Sequence, residues 1–177
     1  MKLPLAYYGD PILRKKCPPV EHFDENLKNF IKDMEETMLA HDGLGLAAPQ
    51  VKRSIAVFMT NVPQNDEEDD FNTCKTIVFI NPKILEYSEE EWSRGEGCLS
   101  IPGVYAPVWR PLTIKVKAYT IEGKEFIAEY RGLQARAIMH ENDHINGVLF
   151  VDRVKGKEKL EIEKELKLIK KQYYDKT

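Results

Sequence analysis

The 177-residue sequence predicts an α+β fold in which antiparallel β-sheets pack around a central helix, with a further helix towards each end. Three observations predict it. Asp24 to Ala40 places Leu27, Phe30, Ile31, Met34 and Met38 at helical spacing. Thr113 to Thr120 and Glu125 to Tyr130 alternate apolar and polar residues around a Glu122-Gly123 turn, the pattern of half-buried antiparallel strands. Gly132 to Asn146 and Lys157 to Tyr174 then return to helical periodicity.

In chain order, an extended, proline-punctuated start runs through Pro18 and Pro19. The first helix is capped by Asp24, whose carboxylate can accept from a first-turn N–H, and stops at Gly43. A run of small residues from Gly43 to Gln50 is followed by a β-rich stretch from Ser54 to Thr60. The acidic run Asp66 to Asp70 reads as a solvated loop ahead of the apolar Thr76 to Ile80. Val, Ile, Tyr, Trp and Thr dominate from Pro82 to Tyr130, which predicts antiparallel sheet. The helix from Gly132 ends at Gly147, and the charged last helix carries Leu166, Ile169 and Tyr173 on one side. There is no internal repeat.

The length fits one domain, residues 1–177, with 155–177 as its charged terminal helix. With 42% hydrophobic and 31% charged residues and no apolar run approaching a membrane span, the composition predicts a cytosolic protein without a membrane partner. The N-terminus has neither a secretory core nor a transit-peptide composition and reads as mature protein. Cys17, Cys74 and Cys98 are odd in number and lack Cys-x-x-Cys spacing, which argues for a reducing compartment. A net charge of -3 gives no global attraction to nucleic acid, so no specific DNA partner is expected.

The strongest chemical signal is His140-Glu141-Asn142-Asp143-His144. Spacing of i,i+4 on a helix puts both imidazoles on one face, one turn apart, where they can converge on a metal. At about 100° per residue, Leu133, Ala137, His140, Glu141 and His144 share an arc of roughly 80°. Glu141 lies at its edge, able to reach a water on the metal without being a ligand.

A catalytic site of this kind needs a third protein ligand, and its identity decides the class. A histidine-only peptidase pattern would end in histidine where Phe150 stands. A glutamate-type peptidase would draw on a downstream residue such as Glu163, which sits among lysines and reads as a solvated ion-pairing position. Upstream, Glu96-Gly97-Cys98-Leu99-Ser100 offers a thiolate in a turn-and-strand setting, a good ligand for zinc or ferrous iron. A closed structural site would need a fourth ligand from Cys17, Cys74, His22 or His41, none in a metal-site context.

Gly43-Leu44-Gly45-Leu46-Ala47-Ala48-Pro49-Gln50 superficially fits a dinucleotide fingerprint, but it follows a helix and meets a proline where a strand should precede and a helix follow. Small residues here instead let extended backbone approach a ligand, and Gln50 offers an amide donor.

These three segments, in this order and spacing, resemble the signature motifs of the peptide deformylases. The resemblance runs from Tyr8-Gly-Asp-Pro-Ile-Leu-Arg14 to Gly147-Val-Leu-Phe-Val-Asp-Arg153, and the terminal charged helix is similar to that of bacterial members. It implies removal of the formyl group from the formyl-methionine of newly made proteins, with release of formate. It implies one Fe(2+), replaceable by Zn(2+), Ni(2+) or Co(2+), held by Cys98, His140 and His144, with water in the fourth position. By the same carry-over, Glu141 is the general acid/base, and the Gln50 amide and Leu99 N–H polarise the formyl oxygen. Leu44, Gly45, Gly97, Leu133 and Ala137 would contact substrate, its main chain pairing as a strand beside Gly45. In some relatives the terminal helix docks on the ribosome, and eight lysines against five acidic residues in Lys155 to Thr177 suit a salt-sensitive RNA contact. Arg136 stands where many relatives carry an aliphatic pocket residue; its stem is expected to line the methionine pocket with the guanidinium in solvent. Tyr105 falls near where some relatives carry a substrate-contacting arginine. Glu96 is a candidate partner for Arg110 behind the ligands.

Overall fold

The computed structural model describes residues 1–64 and 71–174, so the acidic run at 66–70 lies outside it. The first helix, α1, spans Glu25–Ala40, and Asp24 caps it by accepting from the Leu27 N–H at 3.0 Å. Strands β1 (Gly45–Ala47), β2 (Val57–Pro63) and β3 (Cys74–Tyr87) follow, then a hairpin of β4 (Glu91–Cys98) and β5 (Ile101–Pro111). Strands β6 (Thr113–Tyr119) and β7 (Glu125–Arg131) lead into helix α2 (Gly132–Ile145), and α3 (Lys157–Tyr173) closes the described chain. The α+β architecture is the predicted one.

Five strands form one antiparallel sheet in the order β1-β2-β3-β6-β7, and β4 and β5 form a separate two-stranded sheet. Successive residues of β2 face opposite ways, and both faces are covered. Val57 and Met59 pack with Phe30, Ile31, Met34 and Met38 of α1, whereas Phe58 packs with Phe79, Val116 and, from α2, Ala135, Ile138 and Met139. The predicted sheet from Pro82 to Tyr130 is thus divided between two sheets. The division falls between Tyr87, still paired with Ile114 of β6, and Glu91, where the separate hairpin begins; within β3, Asn81 adopts φ +49° before Pro82, and register shifts interrupt the pairing with β6. The Asn81 amide there exchanges hydrogen bonds with the Val20 N–H and carbonyl, as a neighbouring strand would.

The hairpin packs on a third cluster. Ile101, Val104, Ala106 and Val108 of β5 meet Phe150 and Val151, with Ile162, Leu166 and Ile169 of α3. Tyr173, at i+7 from Leu166 on the same side of α3, stacks on Tyr7 with ring centroids 3.9 Å apart. Helix α2 therefore runs between the five-stranded sheet and the hairpin. Its C-terminal turn passes through Gly147, at φ +75°, where a Cβ would stand 2.5 Å from the Arg14 carbonyl oxygen. Only glycine fits there.

Candidate metal centre

On α2 the imidazoles of His140 and His144 lie one above the other, with ring centroids 5.2 Å apart. Cys98 enters from the tip of β4, just before the Leu99-Ser100 turn, and its Sγ is 3.3 Å from His144 Nε2. The ligand atoms of Cys98, His140 and His144 all lie within 4.8 Å of one another. A tetrahedral centre with one sulfur at about 2.3 Å and nitrogens at about 2.1 Å has ligand atoms some 3.3–3.6 Å apart, so only a small contraction separates this group from a bound ion. Burial pushes His144 well below its ordinary value, a neutral imidazole able to ligate. Burial also acts to lower His140, but hydrogen bonds to Cys98 and Glu96 outweigh it and raise the group. A divalent cation binds the deprotonated forms of such side chains, so its uptake here would release protons. The residues fit a metal.

Glu141 is 4% exposed; its Oε1 lies 3.9 Å from His140 Nε2, and its Oε2 has no hydrogen-bond partner among the described residues. Burial pushes this carboxyl up to about 7, the range in which it can both take and give a proton near neutrality. Gly45 makes room for it, since a Cβ there would stand 2.7 Å from Glu141 Oε1. Gln50 is 1% exposed. Its Oε1 accepts from the Ala47 N–H at 2.9 Å, and its Nε2 donates to Cys98 Sγ at 3.3 Å and Ser100 Oγ at 3.2 Å. The small-residue run is thereby tied to the hairpin tip, and Leu99 follows Cys98 directly in that turn.

Of the remaining candidates, Ala137 is buried and Leu133 half-buried on the first turns of α2, and Leu44 is exposed beside Gly45. Gly97 lies under Tyr105, whose ring atoms would stand 2.5 Å from a Cβ at position 97. Tyr105 itself is 75% exposed. Glu163 is exposed on α3, His22 and His41 are exposed, and Cys17 is buried in the core between sheet and α2. None of these joins the Cys98, His140, His144 group, nor does Cys74.

Behind His140 stands a buried charge network that the sequence only half discloses. Glu96 Oε1 lies 2.9 Å from His140 Nδ1, and Arg110 donates to both Glu96 oxygens, at 2.6 and 2.9 Å. Burial drives Glu96 upward, but its bonds to Arg110 and His140 prevail and hold it well below the usual carboxylate range. Arg110 also donates to Asp143 at 3.0 Å, and Arg153 grips Asp143 with two bonds of 2.7 and 2.8 Å. Asp143 was not singled out from sequence, although it lies three residues after His140 and hence on its face. Arg136 requires a correction. Its guanidinium is not in solvent beside a pocket: the residue is 2% exposed, donates to Glu96 Oε2, and lies over the Trp92 ring at 4.6 Å. The β-hairpin covers this flank of α2, so the side chain has no path to solvent and pairs inward.

The sequence profile of the family described as polypeptide deformylase matches residues 2–160. The chain belongs to that family. Peptide deformylase 1B, chloroplastic/mitochondrial, of Arabidopsis thaliana is 42% identical over 175 residues, 99% of this chain, which spans 62% of the plant protein's length. The peptide deformylase of Clostridium botulinum is 47% identical over 150 residues, 85% of this chain and 95% of that protein. Among solved structures, a plant peptide deformylase superposes with TM-score 0.90 at 42% identity, over 99% of this chain and 92% of that one. The peptide deformylase of Thermotoga maritima gives 0.81 at 41% identity, over 88% and 99%. Deformylase-family membership makes this chain an enzyme, and the Cys, His, His group is its candidate metal centre.

Proposed function

We propose that the chain removes the formyl group from the N-terminal formyl-methionine of nascent proteins as a single catalytic unit over residues 1–177. The observation that carries this reading is the convergence of Cys98, His140 and His144 with a buried carboxylate oxygen on Glu141 that has no partner among the described residues. The donor set of one thiolate and two imidazoles suits Fe(2+), with Zn(2+), Ni(2+) or Co(2+) as replacements. When bound, the ion supplies Lewis-acid activation of water and of the formyl oxygen. With a thiolate among its ligands the centre carries only about +1, so activation of water leans on a carboxylate base.

Glu141 takes a proton from the water whose oxygen bonds to the formyl carbon, and gives it to the amine nitrogen as the formyl C–N bond breaks and formate leaves, a role for which a carboxyl near 7 is suited. The Gln50 Nε2 and the Leu99 N–H are the donors for charge developing on the formyl oxygen. The Gln50 amide already lies beside Cys98, donating to its Sγ at 3.3 Å and to Ser100 Oγ at 3.2 Å, which supports this role. Strand β1 is the outermost of its sheet, and its free edge supports pairing of an extended peptide beside Leu44 and Gly45. Gly97, Leu133 and Ala137 complete the substrate contacts, with the methionine side chain against the apolar start of α2.

The partners are formyl-Met nascent chains, with a ribosome contact through the lysines of α3. No described helix is long and apolar enough to cross a membrane. The odd cysteine count without Cys-x-x-Cys spacing supports the cytosol or another reducing compartment. The deciding experiment is formate release from a formyl-Met peptide beside an acetyl-Met peptide, with metal analysis of anaerobically purified protein. Formate release with near-silence on the acetyl substrate is expected, because a methyl would crowd the donors at the carbonyl. Equal rates on both substrates would reject this reading.

A further inference from the structure

Arg136 is buried at a cost. A guanidinium at 2% exposure is expensive to desolvate, and its Nε has no partner among the described residues. A helix–hairpin contact needing only stability would be served as well by a methionine in that volume. What the guanidinium does instead is join three elements of the site. It donates to the Trp92 carbonyl on β4 at 2.7 Å, to the Val108 carbonyl on β5 at 2.8 Å, and to Glu96 Oε2. The first two anchors are backbone atoms on both strands of the hairpin, and the Trp92 ring supports the guanidinium face.

The consequence for Glu96 is geometric. Its Oε2 accepts from Arg110 Nε and Arg136, while its Oε1 accepts from Arg110 and faces His140 Nδ1. Beyond Glu96, Arg110 is held by a side chain, Asp143 at 3.0 Å, whereas Arg136 is held by two main-chain carbonyls and so ties the Glu96 carboxylate to the hairpin backbone itself. With both on Oε2, Oε1 stays aimed at the His140 Nδ1–H, which leaves Nε2 as the lone-pair nitrogen facing Cys98 and His144. The same side chain fastens the helix bearing both imidazoles to the hairpin bearing Cys98.

We propose that Arg136 is a positioning residue of the metal centre, setting the His140 orientation through Glu96 and the spacing between α2 and the hairpin. The proposal rests on reading Cys98, His140 and His144 as a metal site.

The test uses the full chain loaded with cobalt(II), unaltered and as Arg136→Met and Arg136→Lys. Chelator competition reads cobalt affinity, visible absorption reads ligand geometry, thermal unfolding reads stability, and kcat and KM are taken on a formyl-Met peptide. Arg136→Met should stay folded, lose cobalt affinity by about 10- to 100-fold, change the visible spectrum and lower kcat with little change in KM. Arg136→Lys keeps the charge without the fork and should recover only part of the affinity. A folded Arg136→Met with unaltered affinity and spectrum overturns the proposal. Should that variant not fold, Arg136→Lys decides, and parental affinity and spectrum in it overturn the proposal equally. Failure of the unaltered chain to take up cobalt would instead refute the metal reading beneath it.

Discussion

The Glu141 carboxylate has its room because position 45 carries no side chain. Gly45→Ala would bring a methyl to 2.7 Å from Glu141 Oε1 and 2.9 Å from its Cγ, with the α2 backbone fixed behind it. The carboxylate has to swing away, so this variant should fold and bind metal yet deformylate at least tenfold more slowly, comparable in kind to the loss of an acid/base group. Glu141→Gln asks the same question through charge: it should retain full metal stoichiometry and lose at least a hundredfold in kcat. Loss of metal in Glu141→Gln would make that carboxylate a ligand or a support. Cys98→Ala should lose the metal, whereas Cys17→Ala and Cys74→Ala should keep it; stoichiometric metal in Cys98→Ala would reopen the search for a third ligand. At this scale the shared face of His140, Glu141 and His144 was legible because i,i+4 spacing is local, whereas the approach of Cys98 to that face is a long-range contact that spacing does not show. Arg136 was not legible, because a helical angle gives a direction and never what occupies it. The Glu96–Arg110 pair was legible, since Arg110 continues the buried alternation of Val104, Ala106 and Val108 on β5 and needs a buried carboxylate.

Elements showed themselves in the sequence in proportion to how one-sided their burial is. The first helix and the β6–β7 hairpin each have a wet side, and their limits fall within a residue or two of the periodic pattern; α2, covered on both sides, was legible instead through its glycines at either end, Gly132 and Gly147. Strand β2 is covered by α1 on one face and α2 on the other, so it reads as an apolar run and its ends are blurred. The split of the Pro82–Tyr130 sheet was hidden for another reason: pairing between sheets is a long-range fact. Two predictions belong here. Gly147→Ala puts a left-handed backbone and a 2.5 Å approach to the Arg14 carbonyl on the same residue, and should lower stability by about 1–3 kcal/mol in denaturant titration. The turn at Leu149 to Asp152 also responds to acid. Partial burial pushes the Asp152 carboxyl up, but Arg14, at 2.6 Å, and the Leu149 N–H, at 2.9 Å, prevail and lower it. Its contribution is then fully present above the unfolded value near 4 and disappears as pH falls through the lower folded value. Thermal unfolding of Asp152→Asn should therefore differ from the parent at pH 6 and converge with it near pH 2; a constant offset across that range would remove the carboxylate from the account.

Across the whole molecule, three apolar clusters are stacked in the order α1, five-stranded sheet, α2, hairpin and α3. This arrangement decides how the proposed ribosome contact is tested. Truncation at Gly156 would strip Ile162, Leu166 and Ile169 from the hairpin's core and confuse docking with unfolding. Replacing the exposed Lys159, Lys164, Lys167 and Lys171 by glutamate leaves the core intact. Cosedimentation with ribosomes should fall in that variant and in raised salt, and unchanged cosedimentation would end the idea. The stacking also bears on how the chain matures. Cys98 leaves the ribosome more than forty residues ahead of His140, and the two belong to elements whose cores are built from different parts of the chain, the hairpin's awaiting α3. The three candidate ligands therefore come together through contacts between segments far apart in sequence, and a fragment ending before α2 would hold Cys98 alone of the three.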